Sequence, residues 1–287
     1  MARYQFLRFP EGRTKAVTFS YDDGVQADIR LSETIDRYGI KGTFNICAGW
    51  LNDSDPNRLN AQEIQKYILD AGHEVAVHGN FHRAPGEQRT IAGIRDVLDC
   101  RIGLEKAFGR IIRGMAYPDC GITRFCNQAD YPTIRQYLQN LDIAYARTLG
   151  GDNDNFRMPE DWYAWMPTTH HSNPKARDYA RSFVETPMNG YIADQEPKLF
   201  YLWGHSYEFD RDDNWDLLEE LCSILGNHED IWYATNMEIY TYTQAYHALE
   251  YSADGSIVYN PTRQDVWFSL DGTVYCIRAG ETLKLEL

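Results

Sequence analysis

An alternation constrains this chain more than any other feature: short apolar, β-branched or aromatic runs recur along it, each followed by a segment of helix length. Ala16 to Ser20, Thr43 to Cys47, Glu74 to His78, Ile111 to Tyr117, Ile143 to Arg147, Leu199 to His205 and Ile231 to Thr235 read as strands. Gln26 to Tyr38, the stretch from Asn60 to Gly72, Thr90 to Phe108, Thr133 to Asn140, Ala176 to Met188, Trp215 to Leu225 and Met237 to Leu249 read as helices. Asn60 with Glu63 makes a capping-box pattern, Ile91, Ile94, Leu98 and Ile102 recur at helical spacing, and Gly109 closes that helix. Strands joined through helices pair in parallel by right-handed crossovers, and about seven such units predict an α/β chain closed into a (β/α) barrel.

Two regions break the alternation. Gly150 to Pro167, with its Asn, Asp, Trp and Pro residues, reads as a long ordered loop. Beyond Glu250, the runs Ser256 to Asn260, Val266 to Leu270, Thr273 to Ile277 and Thr282 to Leu287 read as short strands, with Asp271-Gly272 as a hairpin signal. The expected division is a barrel over residues 1–249 and a small antiparallel β appendage over residues 250–287, the latter carrying no visible chemistry.

In a parallel barrel, reactive groups collect at the C-terminal ends of the strands. Asp22, Asp23, His78, Tyr117, Arg147 and His205 all fall within a residue or two of a predicted strand end. Where water is scarce, adjacent carboxylates such as Asp22 and Asp23 stay ionised only if a cation or hydrogen bonds compensate; a solvated Asp-Asp-Gly turn is the alternative. His78 and His82, four positions apart in HGNFH on a turn leaving a strand, can face one cation or be unrelated surface histidines. Together the two motifs predict a His-His-Asp metal site with open positions for water.

The ordered motifs TFSYDDG, HGNFH, AYPDCG and LWGHSYEFD, spread from about Lys15 to Thr235, resemble those of the polysaccharide deacetylases, carbohydrate esterase family 4. The resemblance implies a distorted barrel with fewer than eight complete units. It implies Asp22 as general base, Asp23, His78 and His82 as metal ligands, His205 as general acid, and hydrolysis of an N-acetyl or O-acetyl group on a carbohydrate. Two positions depart from the pattern. Ala116 stands where the family commonly has an Arg that holds the base carboxylate, so Arg147 is the first candidate to replace it and Arg113 the second. Gly79 stands where a Ser or Thr usually supplies a hydrogen bond that steadies the histidine loop.

In such a reaction the backbone N–H of Tyr117 is expected to hold the oxyanion, and His205 needs a neighbouring carboxylate, Asp161 or Glu208, to raise its pKa. Trp162, Trp165 and the pair His170-His171 lie on the long loop and read either as the wall of a substrate pocket or as packing. Zinc is the default ion for two His and a carboxylate, although iron, cobalt or nickel also suit the set.

A formal charge of -14 over 287 residues disfavours nucleic acid or an anionic membrane as partner. The first residues hold no apolar core of signal-peptide length, and no run approaches the ~18 apolar residues of a spanning helix, so the expectation is a cytoplasmic protein. The six cysteines form no C-x-x-C pair and are expected to be thiols. A soluble acetylated sugar or oligosaccharide is then the expected substrate. Two competing readings remain: a metal-dependent hydrolase of a non-sugar or cyclic amide on the same scaffold, and a non-catalytic carbohydrate-binding barrel.

Overall fold

The computed structural model describes residues 4–51 and 54–285. Seven parallel strands run side by side in the order Tyr145–Arg147, Gly114–Ala116, Glu74–Val77, Gly42–Ile46, Lys15–Asp22, Lys198–Gly204 and Thr169–His170. An eighth, Ile231–Tyr233, pairs in parallel with residues 15–17 of the central strand, below the stretch that pairs with Gly42–Ile46. The sheet is the distorted (β/α) barrel expected from the alternation, with helices over its outer face.

All eight residues of Lys15–Asp22 are buried, which is what a parallel strand covered on both faces requires. Its side chains alternate. Val17, Phe19 and Tyr21 join the apolar layer under the helices, together with Leu31, Ile35 and Phe44. Thr18, Ser20 and Asp22 point the other way: Thr18 Oγ1 donates to Asn236 Oδ1 at 2.9 Å, and Asn45 Nδ2 donates to Ser20 Oγ and to Asp22 Oδ1, each at 2.8 Å. A polar column therefore runs along the inner face and ends at Asp22.

The expected loop over residues 150–167 is correct in outline, but its end, from Trp165, continues to His171 as a structural element the sequence reading missed. Trp165 N–H donates to Ala146 O at 3.0 Å and Thr148 N–H to Trp165 O at 2.9 Å, while Thr168 N–H donates to Tyr201 O at 2.8 Å and His171 N–H to Trp203 O at 2.9 Å. One short segment thus hydrogen-bonds to the edge strand Tyr145–Arg147 at one end and to Lys198–Gly204 at the other, and joins the two sides of the barrel. With only Thr169–His170 regular enough to be a strand, no alternating pattern announces it.

Helix Thr90–Phe108 forms as expected and ends at Gly109 with φ 61°, but its buried face differs from the predicted stripe. Gly93, Val97, Cys100, Leu104 and Phe108 face the core, whereas Ile91 and Ile102 are exposed. Small residues permit this rotation: a Cβ on Gly93 would lie 2.9 Å from Tyr137 Oη, and one on Gly103 2.8 Å from Ala48 Cβ. The Asn60/Glu63 capping box is present in full.

Val266–Leu270 and Thr273–Ile277 form the hairpin signalled by Asp271-Gly272, both turn residues having positive φ. The N-terminal strand Gln5–Arg8, not read from the sequence, pairs antiparallel with Val266–Leu270 and ties the start of the chain to its end. Ile257–Tyr259 pairs with Glu250–Tyr251 and with Thr282–Lys284; residues 286 and 287 of the expected last strand lie outside the described residues.

Candidate active site

Strand geometry delivers the functional side chains to one end of the barrel. Asp22 and Arg147 are the last residues of their strands, and His78 and His205 follow theirs within a residue. Asp22, 1% exposed, receives Arg147 Nη2 on both carboxylate oxygens, at 2.7 and 2.5 Å, and Asn45 Nδ2 on Oδ1. His78 Nε2 and His205 Nε2 approach Oδ2 at 3.8 and 3.9 Å. Burial alone pushes the Asp22 carboxyl up, but the Arg147 guanidinium, aided by His78 and His205, holds it below the ordinary carboxylate value.

Asp23 has φ 85°, so the chain turns sharply between the two aspartates and sends their side chains to different partners. Its Oδ1 lies 3.7 Å from His78 Nε2 and 3.4 Å from His82 Nε2. His82 also has positive φ, 55°. Backbone held in this region at two neighbouring site residues marks a functional geometry maintained by its surroundings. His78 Nδ1 donates to the carbonyl oxygen of Ala116 at 3.0 Å, which leaves the Nε2 lone pair facing Asp23.

Asp23 Oδ1 and His78 Nε2 are both buried and without a hydrogen-bond partner among the described residues. Such groups are costly unless something unrepresented among the protein atoms satisfies them. One carboxylate oxygen and two imidazole nitrogens within 4.8 Å of one another fit a divalent metal ion.

The first departure from the family pattern has a structural explanation. In the parallel register Ala116 lies directly opposite Arg147, so the guanidinium that would come from position 116 arrives from the adjacent strand. Arg113 instead pairs with Asp142 at 3.6 Å on the surface. At Gly79, φ is +71° and a Cβ would lie 2.6 Å from Asp96 Oδ2. Asp96, on helix Thr90–Phe108, accepts from Phe81 N–H at 3.2 Å and steadies the loop in place of the missing hydroxyl. His82 stacks on Trp50, with ring centroids 5.7 Å apart, and the Arg58 guanidinium lies 3.5 Å from the Trp50 centroid.

Around His205 the carboxylate is Glu208, 3.6 Å from Nδ1; the other candidate, Asp161, accepts from Tyr131 Oη at 2.6 Å and from Tyr163 N–H at 2.9 Å. His170 Nε2 and His171 Nε2 also reach Glu208 Oε2, each at 3.2 Å. Burial raises the Glu208 pKa, but the three imidazoles outweigh it and hold the group well below the carboxylate range. Burial lowers the His205 pKa, and Glu208, Asp22 and Asp23 more than reverse that, leaving it raised.

Three sequence expectations are corrected. Tyr117 is fully buried, and its N–H is committed to Arg147 O at 3.0 Å in the sheet, so it is not free to hold an oxyanion. Trp165, 1% exposed, packs edge-on against Tyr145, Tyr201 and Trp162 inside the barrel and cannot meet a substrate. Trp162 turns the same way, onto Trp165 and Tyr240. Asn45, Trp50 and Asp96 were missed. Asn45, a lone amide within the apolar TFNIC strand, is the one the sequence could have flagged.

Residues 10–146 match the model of the polysaccharide deacetylase family. This segment belongs to that family. Among solved structures, a polysaccharide deacetylase homologue from Mycobacterium smegmatis is 17% identical, covering 84% of this chain and 94% of its own, with a TM-score of 0.58. The CE4 domain of a multidomain xylanase from the hindgut metagenome of Trinervitermes trinervoides is 14% identical, covering 81% and 92%, with a TM-score of 0.51. A mutant of a CE4 family pseudoenzyme from Bacillus anthracis is 12% identical, covering 82% and 70%, with a TM-score of 0.50. These likenesses establish a shared fold. The curated proteins give no significant match. The family is generally dependent on a divalent metal and acts on acetylated polysaccharides.

Proposed function

We propose that this chain is a divalent-metal-dependent deacetylase that hydrolyses an N-acetyl or O-acetyl group on a sugar or oligosaccharide, with zinc as its ion and its chemistry confined to residues 1–249. The observation that carries the reading is the pairing of a ligand set, Asp23, His78 and His82, of which Asp23 Oδ1 and His78 Nε2 are buried and unpartnered among the described residues, with a buried anionic carboxylate, Asp22, held beside it by Arg147. A binding module has no need of such a carboxylate.

A divalent metal bound by Asp23, His78 and His82 supplies Lewis-acid polarisation of the acyl carbonyl and acidifies water. Asp22, locked by Arg147 and Asn45, is oriented to take the proton from the attacking water. His205, with its raised pKa and its Nε2 facing Asp22, delivers a proton to the leaving amine or alcohol. Glu208, 3.6 Å from Nδ1, helps to raise that pKa.

The test combines metal analysis with acetate release from a panel of N- and O-acetylated sugars. Asp22→Asn is expected to retain the ion and lose nearly all turnover, and His82→Ala to lose the ion. Undiminished acetate release by Asp22→Asn would discard the assignment. A metal-loaded protein that releases acetate from no sugar of the panel would discard the carbohydrate substrate.

A further inference from the structure

We propose that Asp28 is a positioning residue that fixes His205 against Asp22 by tying together the two loops that leave their strands. Its effect on turnover rests on the deacetylase reading; the placement of His205 does not. Asp22 and His205 end neighbouring strands, with Tyr21 in register with Gly204. Beyond that register the two chains part. One turns through Gly24 and Val25 into helix Ala27–Arg37, and the other passes through Ser206 into the five-residue helix Tyr207–Arg211. Asp28 spans the gap: its Oδ2 accepts from Val25 N–H at 3.0 Å and its Oδ1 from Ser206 Oγ at 2.6 Å. Among the described residues, the Ser206 bond is the one hydrogen bond between residues 23–28 and residues 205–211.

The His205 ring has no hydrogen bond of its own to hold it. Its Nδ1 is buried without a partner among the described residues, 3.6 Å from Glu208 Oε2, and its Nε2 stands 3.9 Å from Asp22 Oδ2, both too long for hydrogen bonds. The backbone must therefore place the ring. His205 N–H reaches Glu208 Oε2 only at 3.4 Å, and a helix of five residues does not stand on its own. Phe209 anchors that helix in the core, but the short bond from Ser206 is the contact next to the ring.

The cost of the arrangement argues against incidental packing. Asp28 and Ser206 are both 0% exposed, and no cation pairs with the carboxylate among the described residues. Burial, with Asp23 and Asp22 nearby, pushes the Asp28 carboxyl up to about 7 against its two hydrogen bonds. An apolar residue at this position would avoid that cost and leave the two loops unjoined.

The test compares Ser206→Ala, Asp28→Ala and Asp28→Asn with wild type, after circular dichroism has verified folding. The first readout needs no substrate: NMR titration of the His205 imidazole in metal-free protein. Burial lowers the pKa of that ring, and Glu208, Asp22 and Asp23 raise it above the ordinary value; His170 and Tyr207 are the other titratable rings beside it, with centroids 6.2 and 5.3 Å away. Ser206→Ala alters no charge, so a fall of the His205 pKa toward about 6.5 reports displacement of the ring. Asp28→Ala is expected to do the same. Asp28→Asn can accept from Val25 N–H through Oδ1 and donate to Ser206 Oγ through Nδ2, so it should recover most of what Asp28→Ala loses. The second readout is acetate release, in which Ser206→Ala and Asp28→Ala should lower kcat about ten- to a hundredfold with KM unchanged, the scale of a misplacement of about 1 Å. A wild-type His205 titration in Ser206→Ala and Asp28→Ala would overturn the proposal. So would an Asp28→Asn titration as displaced as that of Asp28→Ala, which would show that the charge of Asp28 acts on His205 and its hydrogen bonds do not. If wild type released no acetate, the titrations would still decide what places His205, and only the deacetylase reading would fall.

Discussion

Replacing Arg147 by Met separates the charge it supplies from the volume it fills. Arg147 is fully buried and Asp22 is 1% exposed, so removing the guanidinium strands a carboxylate among Asn45 Nδ2 at 2.8 Å and two imidazoles at 3.8 and 3.9 Å. Breaking one side of a buried ion pair costs about 3–5 kcal/mol. At ~2–4 °C per kcal/mol for a chain of this size, Tm should fall by roughly 6–20 °C.

The pH dependence identifies the cause. In wild type the Asp22 pKa is lowered, so its contribution to stability is present above the ordinary carboxylate value and is lost as pH falls through the folded value. In the variant, burial without the guanidinium raises that pKa above its unfolded value. The cost then disappears at low pH, where Asp22 protonates, and grows as pH rises. Urea denaturation of metal-free protein at pH 5 and pH 8 should therefore give a larger loss at pH 8. The double variant Asp22→Asn/Arg147→Met should be more stable at pH 8 than Arg147→Met alone. A loss below about 1 kcal/mol, or an equal loss at both pH values, would refute the electrostatic account and leave only lost packing.

Other predictions follow from single contacts. Gly79→Ala puts a Cβ 2.6 Å from Asp96 Oδ2 at φ +71° and should cost about 1–3 kcal/mol while weakening zinc binding in dialysis; unchanged stability would mean that the loop is not held by Asp96. Burial pushes Glu74 up to about 7 despite hydrogen bonds from Tyr145 Oη at 2.7 Å, Thr43 Oγ1 at 2.9 Å and Met237 N–H at 2.8 Å. A carboxyl raised on folding binds its proton more tightly in the native state, so stability should fall as pH rises from the unfolded value, about 4.3, to about 7. Glu74→Gln should flatten that slope in urea titrations, and an unaltered slope would show that Glu74 is already charged. Glu208→Gln should lower the pKa of His205, read as a shift of its imidazole titration by NMR; an unmoved titration would remove Glu208 as the partner of His205.

The barrel and the positions of its reactive ends were legible because a strand buried on both faces leaves an apolar run, and because a parallel sheet sends one end of every strand to the same place. Asp22, Asp23, His78, Arg147 and His205 could be located by that rule alone. What escaped has no periodic signature. The segment that joins the two sides of the barrel pairs one residue at a time, and Gln5–Arg8 is a short strand whose partner lies some 260 positions away in the chain. On Thr90–Phe108 the predicted stripe followed the largest apolar residues, whereas the packing follows its glycines, which admit a neighbour more closely than any side chain allows. Trp162 and Trp165 misled for a related reason: indole rings near a site serve the core as readily as a ligand, and only the direction of the chain at Trp165 decides between them.

The position of the guanidinium illustrates what register adds to motif. Ala116 and Arg147 are far apart in sequence, and a comparison of motifs alone registers the first as a loss. In a parallel pair, residues in register project to the same face at the same height, so an arginine at position 147 presents its guanidinium to the carboxylate that one at position 116 would have met. The same exchange explains why the adjacent aspartates differ. Asp22 keeps the strand's inward direction and is bound to Arg147 through both oxygens, which occupies it and keeps it ionised. Asp23, carried past the strand by φ 85°, escapes the guanidinium and is left with a buried oxygen that nothing among the described residues satisfies. Backbone conformation, with no difference in side-chain chemistry, thus separates a carboxylate fit to take a proton from one fit to bind a cation.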